Sequence, residues 1–238
     1  MSAAAGAVIE VDDPLGGYVG RGAGKLLAAF DGFAVSSLAG VALDAGACTG
    51  GFTQVLLERG AERVYALDVG HGQLAPPVAA DARVVDMSGT NIRSFEGAPP
   101  PWRAAWVVAD LSFVSLTLAL PGLTACAAPA AQAVLLVKPQ FEAGRAALDG
   151  FGVVRDPLVR AAAVQRVAEA AGGLGWRIAG FMPSPVEGGA GNREYLLWLR
   201  RGTAATESAP PMPDLGAAVH QDGVVLFPAP SDTGDGRA

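Results

Sequence analysis

The sequence has 17 basic residues, and only two of them, Lys25 and Lys138, are lysines; the other 15 are arginines. Lysine is a compact point charge whose protonation responds to burial, whereas a guanidinium stays protonated and has a different shape. A chain so biased towards arginine that keeps an ammonium at two places points to chemistry there, the plain alternative being chance survival. A second constellation is Asp44-x-Gly46-x-x-x-Gly50, which follows the apolar run Val41-Ala42-Leu43. Two further acids, Asp68 and Asp110, close the apolar runs RVYALDV and AWVVAD. Carboxylates and close-approach glycines at the ends of apolar runs suit a ligand site with hydroxyl or cationic groups. The histidines are His71 and His220 and the cysteines Cys48 and Cys126, without C-x-x-C spacing, so no metal cluster or disulfide framework is expected. Cys48 is read as a small residue filling its turn and His71 as a loop residue near a ligand.

These residues need a scaffold of alternating strands and helices. The run before Asp44 reads as a buried strand, and a helix is expected over 51–58. The dinucleotide pattern G-x-G-x-x-G and the phosphate-loop Lys-Ser/Thr are both missing, so neither a nicotinamide dehydrogenase nor a nucleoside-triphosphate site fits the turn. Asp68 at the end of the second strand is placed to accept from ribose hydroxyls. A third strand over 82–87 brings Asp86, with Met87, to a position suited to adenine. A fourth, central strand ends at Asp110, and the helix after it, over 114–126, should be interrupted at Pro121 and Gly122. The fifth strand, AVLLVKPQFE, carries Lys138 near its carboxyl end. Ahead of all of these, Leu26, Leu27, Phe30 and Phe33 give one apolar helical face, and Lys25 sits in that helix's first turn. Residues 144–156 form a glycine-rich loop expected to line the site or to move. Asp156 and Pro157 cap a helix running to about residue 171, and strands follow over 176–181 and from Glu194.

Composition narrows the class. At 238 residues and 51% hydrophobic content the chain can bury one sizeable core. No apolar run has the length of a membrane span and the amino-terminal stretch lacks a secretory pattern, so a cytoplasmic protein without membrane attachment is expected. The net charge of −6 argues against a broad nucleic-acid surface, leaving local contacts. Residues 1–17 are expected to be a mobile arm and 204–238 a disordered tail, or one docking through VVLF at 224–227.

The segments YVGRGAGKL, LDAGACTGGFT, VYALDVGHGQL, ADLSFVSL, LLVKPQFEAGR, GVVRDP and SPVEGGAGNREYLLWL together resemble the TlyA family, within the FtsJ-like RNA 2′-O-methyltransferases. The resemblance covers roughly residues 18–201, in order. It implies an α/β fold of the Rossmann-like class I S-adenosylmethionine (SAM) methyltransferase type: a seven-stranded, mostly parallel sheet with an antiparallel last strand and helices on both faces, here over 18–203. It implies SAM as cofactor, with ribosomal RNA or ribosomal subunits as partner and the ribose 2′-hydroxyl, that of cytidine in TlyA-like enzymes, as methyl acceptor. The Lys-Asp-Lys-Glu tetrad of such enzymes falls on Lys25, Asp110, Lys138 and Glu194, so both lysines of the chain lie on it. SAM contacts are implied for Asp44, Gly46, Cys48, Thr49, Gly50, Gly51, Phe52, Asp68, Val69, Asp86, Met87 and Asp110, and RNA contacts for Arg21 and Arg193. Family members usually carry an amino-terminal S4 RNA-binding domain, which is expected to be absent here. Competing readings are a SAM-binding, ribosome-associated protein without turnover and a methyltransferase on a non-RNA substrate. In the RNA 2′-O-methyltransferase reading that the resemblance implies, Lys138 lies nearest the 2′-hydroxyl as base or oxyanion stabiliser, Asp110 and Glu194 orient it, and Lys25 adds a second positive charge.

Overall fold

The computed structural model describes residues 16–202, 215–219 and 223–227. Eight strands make one sheet: β1 (Val41–Ala45), β2 (Arg63–Asp68), β3 (Val84–Ser88), β4 (Ala104–Ala109), β5 (Ala127–Val137), β6 (Trp176–Pro183), β7 (Tyr195–Arg201) and β8 (Val225–Leu226). Their order is β3-β2-β1-β4-β5-β7-β6-β8. β3, β2, β1, β4 and β5 pair in parallel, and β7 runs antiparallel to both β5 and β6. The helices are α1 (Ala23–Gly32), α2 (Gly51–Glu58), α3 (Pro76–Ala79), α4 (Leu116–Cys126), α5 (Pro139–Glu142), α6 (Pro157–Gly173) and α7 (Leu215–Val219).

Successive residues of a strand face opposite sides, and here both sides are covered. Leu43, Val107, Leu135 and Leu197 pack with α4 and α6 in one cluster. Their neighbours Ala42, Val108, Leu136 and Leu196 pack with α1 and α2 in the other. This explains why the central strands read as unbroken apolar runs instead of alternating ones. The register then sets the chemistry. Ala45 pairs with Leu67 and Ala109, and Val137 with Tyr195, so Gly46, Asp68, Asp110, Lys138 and Glu194 all leave the sheet at the same edge.

Three expectations need correcting, and one is resolved between its alternatives. The sheet has eight strands, because β8 pairs antiparallel with β6, through Gly180 with Leu226 and Phe181 with Val225. Of the two expectations for the 204–238 segment, its described residues follow docking through VVLF, with β8 at the sheet's edge, and in addition Leu215 and Val219 of α7 are buried against the α4–α6 layer; apolar side chains that reach an unfilled face gain more from burial than ordering costs. α4 is not interrupted but passes through Pro121, and Gly122 lets it lie against the carbonyl of Ile92, where a Cβ would collide. The fifth strand stops at Val137, and Pro139, whose fixed φ suits a first helical position, opens α5.

Candidate active site

Two cavities open at the carboxyl edge of the sheet and share Gly46, Cys48 and Asp110. The larger, about 750 Å³, is lined in addition by Leu67 to Gly70, Gln73, Asn91 to Arg93 and Leu111 to Val114. The smaller, about 290 Å³, adds Gly20 to Gly22, Lys25, Ala47, Thr49, Gly51, Phe52, Lys138, Val186 to Gly189 and Glu194.

The tetrad residues arrive from four separate elements and form two ion pairs on the smaller cavity. Lys25 Nζ lies 2.6 Å from Glu194 Oε2, and Lys138 Nζ lies 2.7 Å from Asp110 Oδ1. Lys25, Lys138 and Glu194 are all less than a tenth exposed. Lone buried charges would be costly, and pairing offsets that cost. The turn before β7 is built around this arrangement, since a side chain at Gly188 would run into the carboxylate of Glu194.

The glycine turn shapes the larger cavity. Gly46 has φ +86° and would collide through a Cβ with the backbone carbonyl of Asp110, so its backbone lies flush against the end of β4. Cys48 also adopts positive φ, and its N–H donates to Asp68 Oδ2 at 3.0 Å. The other oxygen, Asp68 Oδ1, accepts from Gly70 N–H at 2.8 Å. Each carboxylate oxygen keeps a further lone pair for a ligand hydroxyl. A glycine-walled cavity of this size, with Asp68 on one side and Asp110 on the other, has the room and the acceptors that SAM requires.

Not every expected residue reaches these cavities. Gly46, Cys48, Asp68, Val69 and Asp110 line the larger, while Thr49, Gly51 and Phe52 line the smaller. Asp44, Gly50, Asp86 and Met87 line neither. Asp44 is fully buried behind the turn, where Thr53 Oγ1 donates to its Oδ2 at 2.6 Å. Burial pushes its carboxyl up to about 7, against the Thr53 hydrogen bond and with help from Asp110 and Asp68. Asp86 is occupied locally, accepting from Ser88 N–H at 2.8 Å and from its hydroxyl. The chain instead turns into the cavity after β3, where Asn91 accepts from Arg93 N–H and starts a short 3-10 turn, Ile92–Phe95. The cap-forming Asn91 was the signal available in the sequence. Arg21 lines the smaller cavity, whereas Arg193 is exposed beside Glu194 and outside both linings.

The 144–156 loop lines neither cavity. Asn192, missed by sequence reasoning, pins it: its Nδ2 donates to Gly152 O and Gly189 O at 3.1 Å each, and its Oδ1 accepts from Val154 N–H.

A doubly wound sheet with an antiparallel seventh strand inserted beside the sixth, a glycine turn after β1 and acids ending β2 and β4 defines a protein of the SAM methyltransferase class. The fold is shared by the N-methyltransferase NodS from Bradyrhizobium japonicum in complex with S-adenosyl-L-homocysteine, at TM-score 0.52 and 12% identity over 74% of this chain and 85% of that one. Residues 18–201 match the family model for FtsJ-like methyltransferases, and the chain belongs to that family. It is 47% identical over 215 residues to the 16S/23S rRNA (cytidine-2′-O)-methyltransferase TlyA of Mycobacterium tuberculosis, covering 90% of this chain and 79% of that protein. Similarity extends to Hemolysin A of Brachyspira hyodysenteriae, 37% identical over 75% of each chain. A crystal structure of a Lactococcus lactis protein described as a hemolysin superposes with TM-score 0.77 at 38% identity, over 85% of this chain and 96% of that one. Among the described residues no helix is long and apolar enough to cross a membrane.

Proposed function

We propose that this protein is an rRNA 2′-O-methyltransferase that modifies the ribose of a cytidine, acting in the cytoplasm on ribosomal subunits or their RNA. The observation that carries the reading is the convergence of the chain's two lysines, each ion-paired, on the smaller cavity where it joins the larger one at Asp110. The relatedness to TlyA of M. tuberculosis supports rRNA as the acceptor.

SAM, bound in the larger cavity, supplies a methyl group on a positively charged sulfur. The protein's part is to bring a ribose hydroxyl in line and to take its proton. Holding two reactants in a near-attack geometry can contribute several kcal/mol. Lys138, in contact with Asp110 and Ser112 of the larger cavity's lining, takes the role of base or oxyanion stabiliser. Lys25 and Glu194 line the smaller cavity and add a second, compensated ammonium. Arg21 at the mouth is suited to an RNA phosphate, and Arg193 to a contact outside the cavity.

Methyl transfer from labelled SAM to isolated ribosomal subunits and to free rRNA, followed by mapping of the modified nucleotide, tests the proposal. Labelling at a ribose 2′-oxygen of cytidine is the expected outcome. SAM binding without transfer to either substrate would sink it in favour of a non-catalytic ribosome-associated protein, and base methylation would reassign the chemistry.

A further inference from the structure

Lys138 touches a second acceptor that no motif marks. Its Nζ lies 2.7 Å from Asp110 Oδ1 as an ion pair outside hydrogen-bond geometry, and donates to Ser112 Oγ at 2.8 Å. Among the described residues Lys25, by contrast, has Glu194 as its one side-chain acceptor. Ser112 is exposed and lines the larger cavity while Lys138 lines the smaller, so this hydrogen bond crosses the boundary at which donor and acceptor must meet. An ammonium has three N–H donors, and the neutral amine that can act as a base has two and a lone pair. The hydrogen bond to Ser112 therefore fixes the direction of one N–H of the neutral form beside the Asp110 carboxylate and limits where its lone pair can point.

The segment carrying Ser112 is held at both ends. Asp110 N–H donates to Ala45 O at 3.0 Å. At the other end, Ser115 Oγ and Leu116 N–H donate to the two carboxylate oxygens of Glu142 at 2.5 and 2.7 Å. Glu142 follows Lys138 on α5, so the same two segments are clasped twice, by Lys138 to Ser112 and by Glu142 to Leu116. Between these clasps Phe113 sits at φ +64°, a conformation a non-glycine residue keeps only when its surroundings impose it, and its ring lies 5.3 Å from that of Phe141. Such a doubly fastened loop sets the hydroxyl of Ser112 against Lys138 with little freedom.

We propose that Ser112 is a positioning residue for methyl transfer: it accepts the hydrogen bond of Lys138 and, with the Asp110 carboxylate as ion-pair partner, holds the amine so that its lone pair is directed at the acceptor hydroxyl. The inference rests on the reading of the chain as a ribose 2′-O-methyltransferase. In that step the proton on the 2′-oxygen passes to the lone pair of Lys138 as the same oxygen forms its bond to the methyl carbon and the bond from that carbon to sulfur breaks. The proton then leaves Lys138 for water.

Two measurements on the full chain test this, using Ser112→Ala and Ser112→Thr, the second of which keeps the hydroxyl. With only two lysines in the sequence, lysine labelled at Cε and Nζ gives a two-signal spectrum, assignable with Lys25→Arg. Ser112→Ala is expected to move the Lys138 signal, leave that of Lys25 in place, and be reversed in Ser112→Thr. In single-turnover methyl transfer at saturating SAM and ribosomal subunits, with SAM affinity followed alongside by calorimetry, the high-pH plateau of the rate should fall about tenfold in Ser112→Ala and recover in Ser112→Thr. An unmoved Lys138 signal, an unchanged plateau or a loss confined to SAM affinity would overturn the proposal. Absence of transfer by the unaltered protein would instead defeat the functional reading, and the two-signal spectrum would still decide whether Ser112 holds Lys138.

Discussion

Lys138 and Lys25 differ in what surrounds them, and substitutions should separate their roles. Lys138→Arg and Lys138→Ala should each lower methyl transfer by about 100-fold or more, because arginine remains protonated and cannot fit the lysine's place beside Asp110 and Ser112. Retention of near-normal turnover by either variant would remove Lys138 from the mechanism. Gly188 offers a subtler probe. A methyl group there collides with the Glu194 carboxylate, so Gly188→Ala should displace the Lys25–Glu194 pair and lower turnover on the order of 10- to 100-fold. SAM affinity, read by calorimetry, should change little, since Gly188 borders the smaller cavity alone. At this scale scarcity made the lysines legible. Ser112 and Gly188 were not, because serine and glycine are common and become informative only once a neighbour's charged group lies against them.

Among the elements, α4 and the 3-10 turn Ile92–Phe95 act on the site without supplying a tetrad residue. Gly122 of α4 faces the carbonyl of Ile92, and Ile92 lines the larger cavity. Gly122→Ala should push that turn towards the cavity, costing about 1–3 kcal/mol in denaturant unfolding and weakening SAM binding measured by titration. Equal SAM affinity in the variant would mean that the turn yields away from the ligand. The proline and glycine in LALPGL read as a helix break. The structure carries the helix through because α4 is packed by Leu116, Ala119, Leu120 and Leu123, burial that outweighs one lost hydrogen bond. Strand ends were legible from the acids that close them. The adenine side was not, since Asp86 looks like Asp68 in sequence but satisfies itself on Ser88.

For the molecule as a whole, Asp44 ties stability to pH. Its carboxyl is pushed up to about 7 from 3.8 by burial, so the folded state keeps a proton that the unfolded chain has released in that window. The contribution is full below pH 3.8 and is lost as pH rises through about 7. Asp44→Asn should lack this dependence, and the stability difference between the two proteins should change by at most ~4 kcal/mol from acid to mildly alkaline pH in urea melts. Parallel curves would show that Asp44 ionises in the fold as it does in the open chain. At the far end of the sheet, Leu215 is fully buried against the α4–α6 layer. Leu215→Ala should cost about 2–4 kcal/mol by denaturant unfolding, a loss that a loose tail could not produce.

The order of amino acids by itself determined the class of protein through the segments between Tyr18 and Arg201 that resemble FtsJ-like methyltransferases, while apolar runs ended by acids, a glycine turn of unusual spacing and two lysines among many arginines restrict the sheet and mark its candidate chemistry. The two-sided burial of the central strands needs no knowledge of their partners, because side-chain alternation and hydrophobicity are local properties. What only the tertiary structure decided is which polar groups face each other across distant segments. Asp44 turned inward to Thr53, Ser112 met Lys138, and Gly188 gave way to Glu194. Hydrogen bonds and close contacts depend on distances of a few tenths of an ångström between groups far apart in the chain, and those distances exist only once strand register and helix packing have been set.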